Sequence, residues 1–282
     1  MRRKALGATG IELPAIGQGT WNMPQSGAAK KEAQRAVRRG VELGMTHLDT
    51  AEMYGAGAVE ELLGEAIRGI PREKLFITSK VLPSNAGYEG TLRAAEGSLE
   101  RLRCDYLDLY LLHWPGEHPL ETTMAALEAL VEQGKTRFVG VSNFDTAGML
   151  EAASYLRNVP LACNQVLFHL GERGIEHELI PAALAREIAI VAYTPFGREN
   201  FLRASAGRRV LEEVGRKHDA TPRQVALAFL TRERNVFAIP KAAQVRHVEE
   251  NAAAGELQLG LEDVEAIGRA FERGKPRPLA TL

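Results

Sequence analysis

Mostly apolar runs of a few residues alternate along this chain with longer segments in which apolar residues recur every third or fourth position. The runs at 106–113 and 190–194 lack a strict polar–apolar alternation, which is typical of strands buried on both faces. The segment at 88–103 places Leu92, Ala95 and Leu99 on one face, which predicts an amphipathic helix. The pattern therefore predicts buried strands that alternate with amphipathic helices.

The pattern predicts about eight strands that alternate with about eight helices, one of them divided into two pieces, and a last helix after the alternation. The predicted strands are 15–21, 46–49, 75–80, 106–113, 137–141, 161–167, 190–194 and 236–239. The predicted helices are 30–43, 58–68, 88–103, 120–132, 146–155, 176–186, 207–218, 221–232, 245–254 and 261–271. Residues 2–14 predict a β-hairpin with Gly7 and Gly10 in its turn, and no structure is predicted for the tail at 275–282.

This alternation predicts an α/β fold, a (β/α)₈ TIM barrel with a short N-terminal β-hairpin and extra helices near the C-terminus. Such a barrel typically takes about 250 residues, so one domain over residues 1–282 accommodates it. A doubly wound sheet is the alternative. It would usually show a glycine-rich dinucleotide fingerprint after its first strand, and Gly17-Gln18-Gly19 is not followed by the glycine that opens a helix in that fingerprint.

Charge and cysteine content narrow the class of protein. The chain has 35 Lys and Arg against 36 Asp and Glu, so nothing favours binding to nucleic acid or to an anionic membrane. Cys104 and Cys163 lie outside any metal-ligand spacing, and no metal site is predicted. No apolar run approaches the ~20 residues that a membrane span needs. The basic residues at the N-terminus are not followed by the apolar segment of a signal peptide. We expect a cytoplasmic protein, monomeric or weakly oligomeric.

Polar or aromatic residues recur where the predicted strands end. A barrel gathers those ends at one face, where active sites lie. Each residue alone has an ordinary structural explanation, such as a helix cap or a surface lysine. Such an explanation would have to hold separately at all eight strand ends, so the recurrence favours one shared site. In strand order, the ends are Gly19-Thr20-Trp21, Asp49, Lys80, His113-Trp114, Ser142-Asn143, Gln165, Tyr193-Thr194 and Lys241.

Four residues suggest the chemistry. Tyr54, in the loop after Asp49, can donate a proton to an oxygen if its pKa falls from about 10 towards the working pH. A nearby Lys80 would lower that pKa, Asp49 would hold Lys80, and His113 would hydrogen-bond the same oxygen. This set suits protonation of a carbonyl oxygen while a hydride adds to its carbon. Because no side chain supplies a hydride, a nicotinamide cofactor is implied.

The remaining strand ends suit that cofactor. Ser142, Asn143 and Gln165 are predicted to bind the carboxamide, and Tyr193 is predicted to stack on the nicotinamide ring. The turn Thr194-Pro195-Phe196-Gly197 would present backbone N–H groups to the diphosphate. Lys241 would contact a phosphate.

Seven segments carry a resemblance to a known family, and they lie in order along nearly the whole chain. They are HLDTAEMYG at 47–55, TSK at 78–80, LLHWP at 111–115, GVSNF at 140–144, NQV at 164–166, AYTPFG at 192–197 and IPKA at 239–242. The sequence resembles the aldo-keto reductase superfamily, and in particular its bacterial members with short loops. The resemblance implies a barrel enzyme that reduces aldehydes or ketones to alcohols with NADPH, usually without a metal.

The resemblance also implies roles for individual residues. Tyr54 would be the acid, supported by Asp49, Lys80 and His113, while Trp21, Tyr54, His113 and Trp114 would line the substrate pocket. Beyond the strand-end residues already assigned, it extends the cofactor contacts to the following set: Gly19, Thr20, Trp21, Ile239, Pro240, Ala242, His247, Glu250 and Asn251.

Two positions depart from the family pattern for the NADPH 2′-phosphate. Ala242 stands where Ser is frequent, and His247 stands where Arg is frequent, with Arg246 one residue earlier. Because Lys241 is present, NADPH is the predicted cofactor, and NADH is possible. Short loops and a short tail after Phe271 predict an open pocket with broad selectivity for small aldehydes, ketones or dicarbonyls.

Two rival functions remain open from the sequence. The first is an NAD(P)H-binding sensor or regulatory subunit with slow turnover. The second is an isomerase or aldolase in which Lys80 forms a Schiff base.

Overall fold

A computed structural model describes residues 1–198, 201–204 and 206–282. The strands among these residues form a two-stranded antiparallel sheet, β1 and β2, and a parallel sheet in which β3 to β10 neighbour one another in chain order. They are β1 Arg3–Ala5, β2 Glu12–Pro14, β3 Gln18–Gly19, β4 His47–Asp49, β5 Phe76–Val81, β6 Leu107–Leu112, β7 Thr136–Ser142, β8 Leu161–Leu167, β9 Ala189–Tyr193 and β10 Val236–Ala238.

Helices follow the strands of the parallel sheet. They are α1 Gly27–Glu42, α2 Ala58–Ala66, α3 Tyr88–Leu102, α4 Leu120–Glu132, α5 Thr146–Tyr155, α6 Leu179–Ala185, α7 Phe201–Ala204, α8 Arg208–Lys217, α9 Pro222–Leu230, α10 Val245–Ala254 and α11 Leu261–Ala270. None of the described helices is both long and apolar enough to cross a membrane.

Parallel bridges between the first and last strands of the large sheet close it into a barrel. Ile16 pairs with Ala238 and Gly19 with Lys241. A Cβ on Gly19 would lie 2.5 Å from the carbonyl oxygen of Ile239, so glycine is what lets the two chain segments approach this closely. The predicted (β/α)₈ barrel is confirmed.

Most predicted elements appear within a few residues of their predicted bounds, and three differ. Regular pairing of the first strand covers only Gln18–Gly19, because Ile16 pairs across the seam through an isolated bridge. The helix predicted at 176–186 begins at Leu179, which places Pro181 in its first turn, where no backbone donor is needed. The short helix α7 was not predicted.

Two apolar layers hold the barrel together. The outer layer lies between strands and helices, and the inner layer fills the barrel. Leu6 and Leu13 of the N-terminal hairpin belong to the inner layer, so the hairpin covers one end of the barrel with apolar side chains. The opposite end, at the carboxyl ends of the strands, is left for polar residues.

His47 is a polar member of this interior. Its ring is fully buried, its Nε2 lies 3.1 Å from Thr78 Oγ1, and its Nδ1 has no hydrogen-bond partner. Burial lowers the pKa of His47 from 6.5 to about 4, and nearby Asp49 offsets this only in part. The folded protein therefore holds His47 neutral.

This buried histidine predicts a loss of stability in acid. The unfolded chain takes up a proton below pH 6.5, whereas folded His47 does so only near pH 4, so its contribution is complete above pH 6.5 and is lost as the pH falls. As the pH falls from 7.5 to 5, we expect protonation of His47 in the unfolded chain to lower the free energy of unfolding by about 2 kcal/mol. Urea unfolding of the wild type and His47→Gln at both pH values measures the difference, and equal pH slopes would refute it.

Candidate active site

A cavity of about 170 Å³ lies at the carboxyl ends of the barrel strands. The predicted residues that line it are Gly19, Thr20, Trp21, Asp49, Tyr54, His113, Trp114, Ser142, Asn143, Gln165, Tyr193, Thr194, Ile239 and Lys241. Met53, Arg198 and Leu282 line it as well. Met53 lies within the segment HLDTAEMYG and Arg198 directly follows the AYTPFG turn, but no local signal pointed to Leu282.

Lys80 lies behind this cavity with its ammonium group fully satisfied. Its Nζ donates to Asp49 Oδ1 at 2.7 Å and to the Thr50 carbonyl oxygen at 2.7 Å, and it lies 3.5 Å from Tyr54 Oη. The three contacts match the three donors of an ammonium group. Burial alone would lower the pKa of Lys80, but Asp49 and Tyr54 raise it overall, so Lys80 is charged.

Tyr54 is nearly buried, and two effects on its phenol oppose each other. Burial raises the pKa of Tyr54, Lys80 lowers it, and Asp49 adds a smaller upward contribution. Lys80 therefore lowers the pKa of Tyr54, as predicted, but burial outweighs this effect. Tyr54 thus keeps its proton at neutral pH.

His113 packs beside Tyr54, with their ring centroids 5.8 Å apart. Burial, followed by the nearby charge of Lys80, lowers the pKa of His113 to about 2, so the ring is neutral. Its buried Nδ1 has no hydrogen-bond partner. A neutral imidazole can donate one hydrogen bond to a substrate oxygen without competing as an acid.

The residues predicted to bind the carboxamide form a network. Asn143 Nδ2 donates to the His113 carbonyl oxygen at 3.0 Å, and Tyr193 Oη donates to Asn143 Oδ1 at 2.7 Å. Ser142 Oγ donates to the Gln165 carbonyl oxygen at 2.8 Å. Asn143 adopts a φ of 63°, a left-handed conformation that Asn tolerates better than most residues.

A second cavity, of about 210 Å³, lies beyond the 194–197 turn. Phe196, Gly197 and Glu250, all predicted cofactor contacts, line it. So does Arg223, whose guanidinium carbon lies 4.8 Å from the centre of the Phe196 ring. The sequence did not single out Arg223, because nothing in its local pattern distinguishes it from a solvated helix residue.

Five predicted cofactor residues line neither cavity. Pro195, Ala242 and Asn251 are buried, Pro240 lies in the closing segment before Lys241, and His247 Nδ1 lies 3.7 Å from Glu250 Oε2. Their roles stay predictions. Among the residues that the structure describes, no cluster of three or more His, Cys, Asp or Glu is placed to hold a metal ion.

The C-terminal tail reaches this site despite its short length. Residues 276–281 border a neighbouring cavity of about 730 Å³, and Leu282 borders the active-site cavity. Burial raises the pKa of the Tyr193 phenol to about 12, and the nearby backbone of Leu282 partly offsets this rise. The tail therefore forms part of a pocket that the sequence predicted to be open.

Residues 15–272 match the model of the Aldo/keto reductase family. The chain belongs to this family. It is 43% identical over 277 residues to a methylglyoxal reductase of Escherichia coli (strain K12), covering 98% of this chain and 97% of that protein. It is 36% identical to a glyoxal reductase of Bacillus subtilis (strain 168), covering 95% and 94% of the two chains.

Solved structures agree with this assignment. The crystal structure of an aldo-keto reductase from Klebsiella pneumoniae in complex with NADPH superimposes with a TM-score of 0.92 at 38% identity, covering 100% of both chains. The predicted family and the predicted oxidoreductase class are therefore confirmed. None of these likenesses tests the roles of single residues in this aldo/keto reductase.

The buried Lys80–Asp49 pair predicts a large stability effect. Lys80→Met leaves the Asp49 carboxylate buried without its cation, which we expect to cost about 3 to 5 kcal/mol of unfolding free energy. Adding Asp49→Asn removes the stranded charge, so the double variant should recover part of that loss. Urea unfolding measures both, and Arg269→Ala, which breaks the exposed pair with Glu265, should change little. A double variant less stable than Lys80→Met would contradict the prediction.

Proposed function

We propose that this aldo/keto reductase reduces small aldehydes and ketones, including 2-oxoaldehydes, to alcohols with NADPH as hydride donor. The observation that carries the proposal is the contact between Tyr54 Oη and Lys80 Nζ, 3.5 Å long, at the wall of a cavity large enough for a small carbonyl compound. A protonated phenol beside a buried cation is a general acid, and among the residues that the structure describes no activated nucleophile lies beside it.

Each of the four residues has a separate task in this proposal. Tyr54 donates its proton to the carbonyl oxygen as negative charge develops there. Lys80 stabilises the phenolate that remains, because its charge lies beside that oxygen in a site of low dielectric. Asp49 keeps Lys80 charged and in place, and neutral His113 donates a hydrogen bond that orients the carbonyl.

The residues that line the cavity support NADPH as the cofactor in this proposal. It extends from Trp21 and Tyr54 past Tyr193 to Lys241. NADPH supplies the hydride that adds to the carbonyl carbon. Ser142, Asn143 and Gln165 would hold its carboxamide, and Tyr193 would lie against the nicotinamide ring.

Three cations are available for the phosphates in this proposal. Arg198, Lys241 and Arg246 form no ion pair with any residue in the described ranges 1–198, 201–204 and 206–282. Lys241 lines the active-site cavity, and both Lys241 and Arg246 are exposed, so in this proposal they bind the 2′-phosphate despite Ala242 and His247. Arg223 and Phe196 would form a wall for the adenine in the second cavity.

The substrate class follows from the size and lining of the cavity. Trp21, Met53 and Trp114 form its apolar wall, and Trp21 is half exposed at its mouth. A small carbonyl compound fits beside Tyr54, while the exposed mouth gives larger aldehydes access. The names of the Escherichia coli and Bacillus subtilis relatives support 2-oxoaldehydes within this class. A single domain, a cytoplasmic location and a monomeric or weakly oligomeric state stay predictions.

Tyr54→Phe tests the proton donor. We expect the variant to lose about 10²- to 10⁴-fold in kcat for methylglyoxal and for an aromatic aldehyde, because the reaction loses its general acid. The Kd for NADPH, measured by quenching of tryptophan fluorescence, should change less than threefold. A wild type that binds NADPH but reduces nothing in a broad carbonyl panel would favour the sensor function. Trapping of substrate on Lys80 by borohydride would favour Schiff-base chemistry.

The cofactor preference is tested by the ratio of kcat/KM for NADPH and NADH. We expect NADPH to be preferred about tenfold or more, because charge-assisted contacts to the 2′-phosphate favour it by roughly 1.5 to 3 kcal/mol. Arg246→Ala should reduce this preference and leave kcat/KM with NADH unchanged. A preference for NADH above tenfold would overturn the prediction.

A further inference from the structure

A hydrogen bond crosses the barrel interior between two strands that are not neighbours. Gln165 Nε2, on β8, donates to Asp49 Oδ2, at the end of β4, over 2.7 Å. Both side chains are buried, with 2% and 1% of their surfaces exposed. Because β4 pairs only with β3 and β5, this contact does not follow from the pairing of the sheet.

The chemistry of the two groups fixes the orientation of the Gln165 amide. An ionised carboxylate only accepts hydrogen bonds, so the NH₂ group of Gln165 must face Asp49. The other oxygen of Asp49 accepts from Lys80 at 2.7 Å. The carboxylate is therefore held at both oxygens, and it cannot rotate without losing one of two buried, charge-assisted contacts.

We propose that Gln165 is a positioning residue for the proton donor: it fixes the Asp49 carboxylate, and through it Lys80 and Tyr54. This rests on the function proposed above. The same orientation leaves Gln165 Oε1 as an acceptor at the cavity that Gln165 lines, where the carboxamide N–H of the cofactor would bind. The Gln165 amide would thus contact both the cofactor and Asp49, which in turn holds Lys80 beside Tyr54.

This role differs from that of a cofactor contact alone. A cofactor contact needs only the oxygen of Gln165, whereas the positioning role needs its NH₂ group. Gln165→Glu separates the two, because it keeps an acceptor oxygen but loses the donor. Its carboxylate faces that of Asp49, and two carboxylates this close share a proton as the pH falls. Only the protonated form can donate to Asp49.

The experiment compares kcat for Gln165→Glu with that of the wild type at pH 8 and pH 5.5, with NADPH saturating. We expect the variant to be about 30- to 100-fold slower at pH 8, and to regain at least fivefold relative to the wild type at pH 5.5. Ser142→Ala is the matched control, since Ser142 touches Gln165 but not Asp49. That variant should weaken NADPH binding without any pH-dependent change in relative kcat.

A second variant tests the contact without using activity. In Asp49→Asn/Gln165→Glu the donor and acceptor are exchanged, and a single carboxylate is kept, now one hydrogen bond away from Lys80. At pH 8 we expect this double variant to have a higher Tm than Gln165→Glu, because the hydrogen bond is restored in the opposite sense and two carboxylates no longer face each other. A lower Tm for the double variant would overturn the proposal.

The outcomes separate this proposal from the function on which it rests. If the wild type reduces no carbonyl compound, the proposed function fails, and the Tm comparison still tests the contact. If the wild type is active and Gln165→Glu has the same relative kcat at both pH values, the positioning role is wrong. Gln165 is then a cofactor contact only.

Discussion

The arrangement of the site depends on one buried ion pair, between Lys80 and Asp49. An ammonium group without access to water is stable only if each of its donors has a partner, and removing one partner strands a charge. Here the partners come from the end of β4, from Thr50 immediately after it and from the loop that carries Tyr54. The strands β4 and β5 must pair in register for these atoms to meet. The pairing of β4 with β5 therefore brings the partners of Lys80 together, and a shift in this pairing would separate them.

Gly19 and the N-terminal hairpin stabilise the barrel in which the Lys80–Asp49 pair is buried. Closure needs a glycine where the first and last strands approach, since a Cβ on Gly19 would meet the Ile239 carbonyl oxygen. The hairpin fills the opposite end of the barrel with Leu6 and Leu13. The hairpin end of the interior is thus filled by apolar side chains, and Asp49, Lys80 and Gln165 lie at the carboxyl ends of the strands. That separation lowers the dielectric around the pair and strengthens its influence on Tyr54.

The sequence predicted the elements and the four central residues because both leave local signals. Helices α4, α5 and α10 have the bounds that their apolar periodicity predicts. Asp49, Lys80 and His113 could be grouped because a parallel barrel gathers strand ends, whatever its details. Gln165 was found as a strand-end residue, but its bond to Asp49 was not, because it joins positions 116 residues apart across the interior. Arg223 and Leu282 were missed for the same reason, since their positions depend on tertiary distances.

The electrostatics of Tyr54 show why such a distant contact matters. Burial raises the pKa of its phenol, so Tyr54 keeps its proton at neutral pH until a carbonyl oxygen accepts it. In the proposed reaction, catalysis depends on stabilising the phenolate only as the carbonyl oxygen gains charge, which is the state that an enzyme must favour over the ground state. Lys80 can do this only if it remains charged and close to the phenol oxygen. Its own burial opposes that charge, and Asp49 is the first group that counteracts it. A carboxylate held at one oxygen could turn away and leave Lys80 to lose its proton, whereas one held at both oxygens keeps the ammonium charged through each turnover.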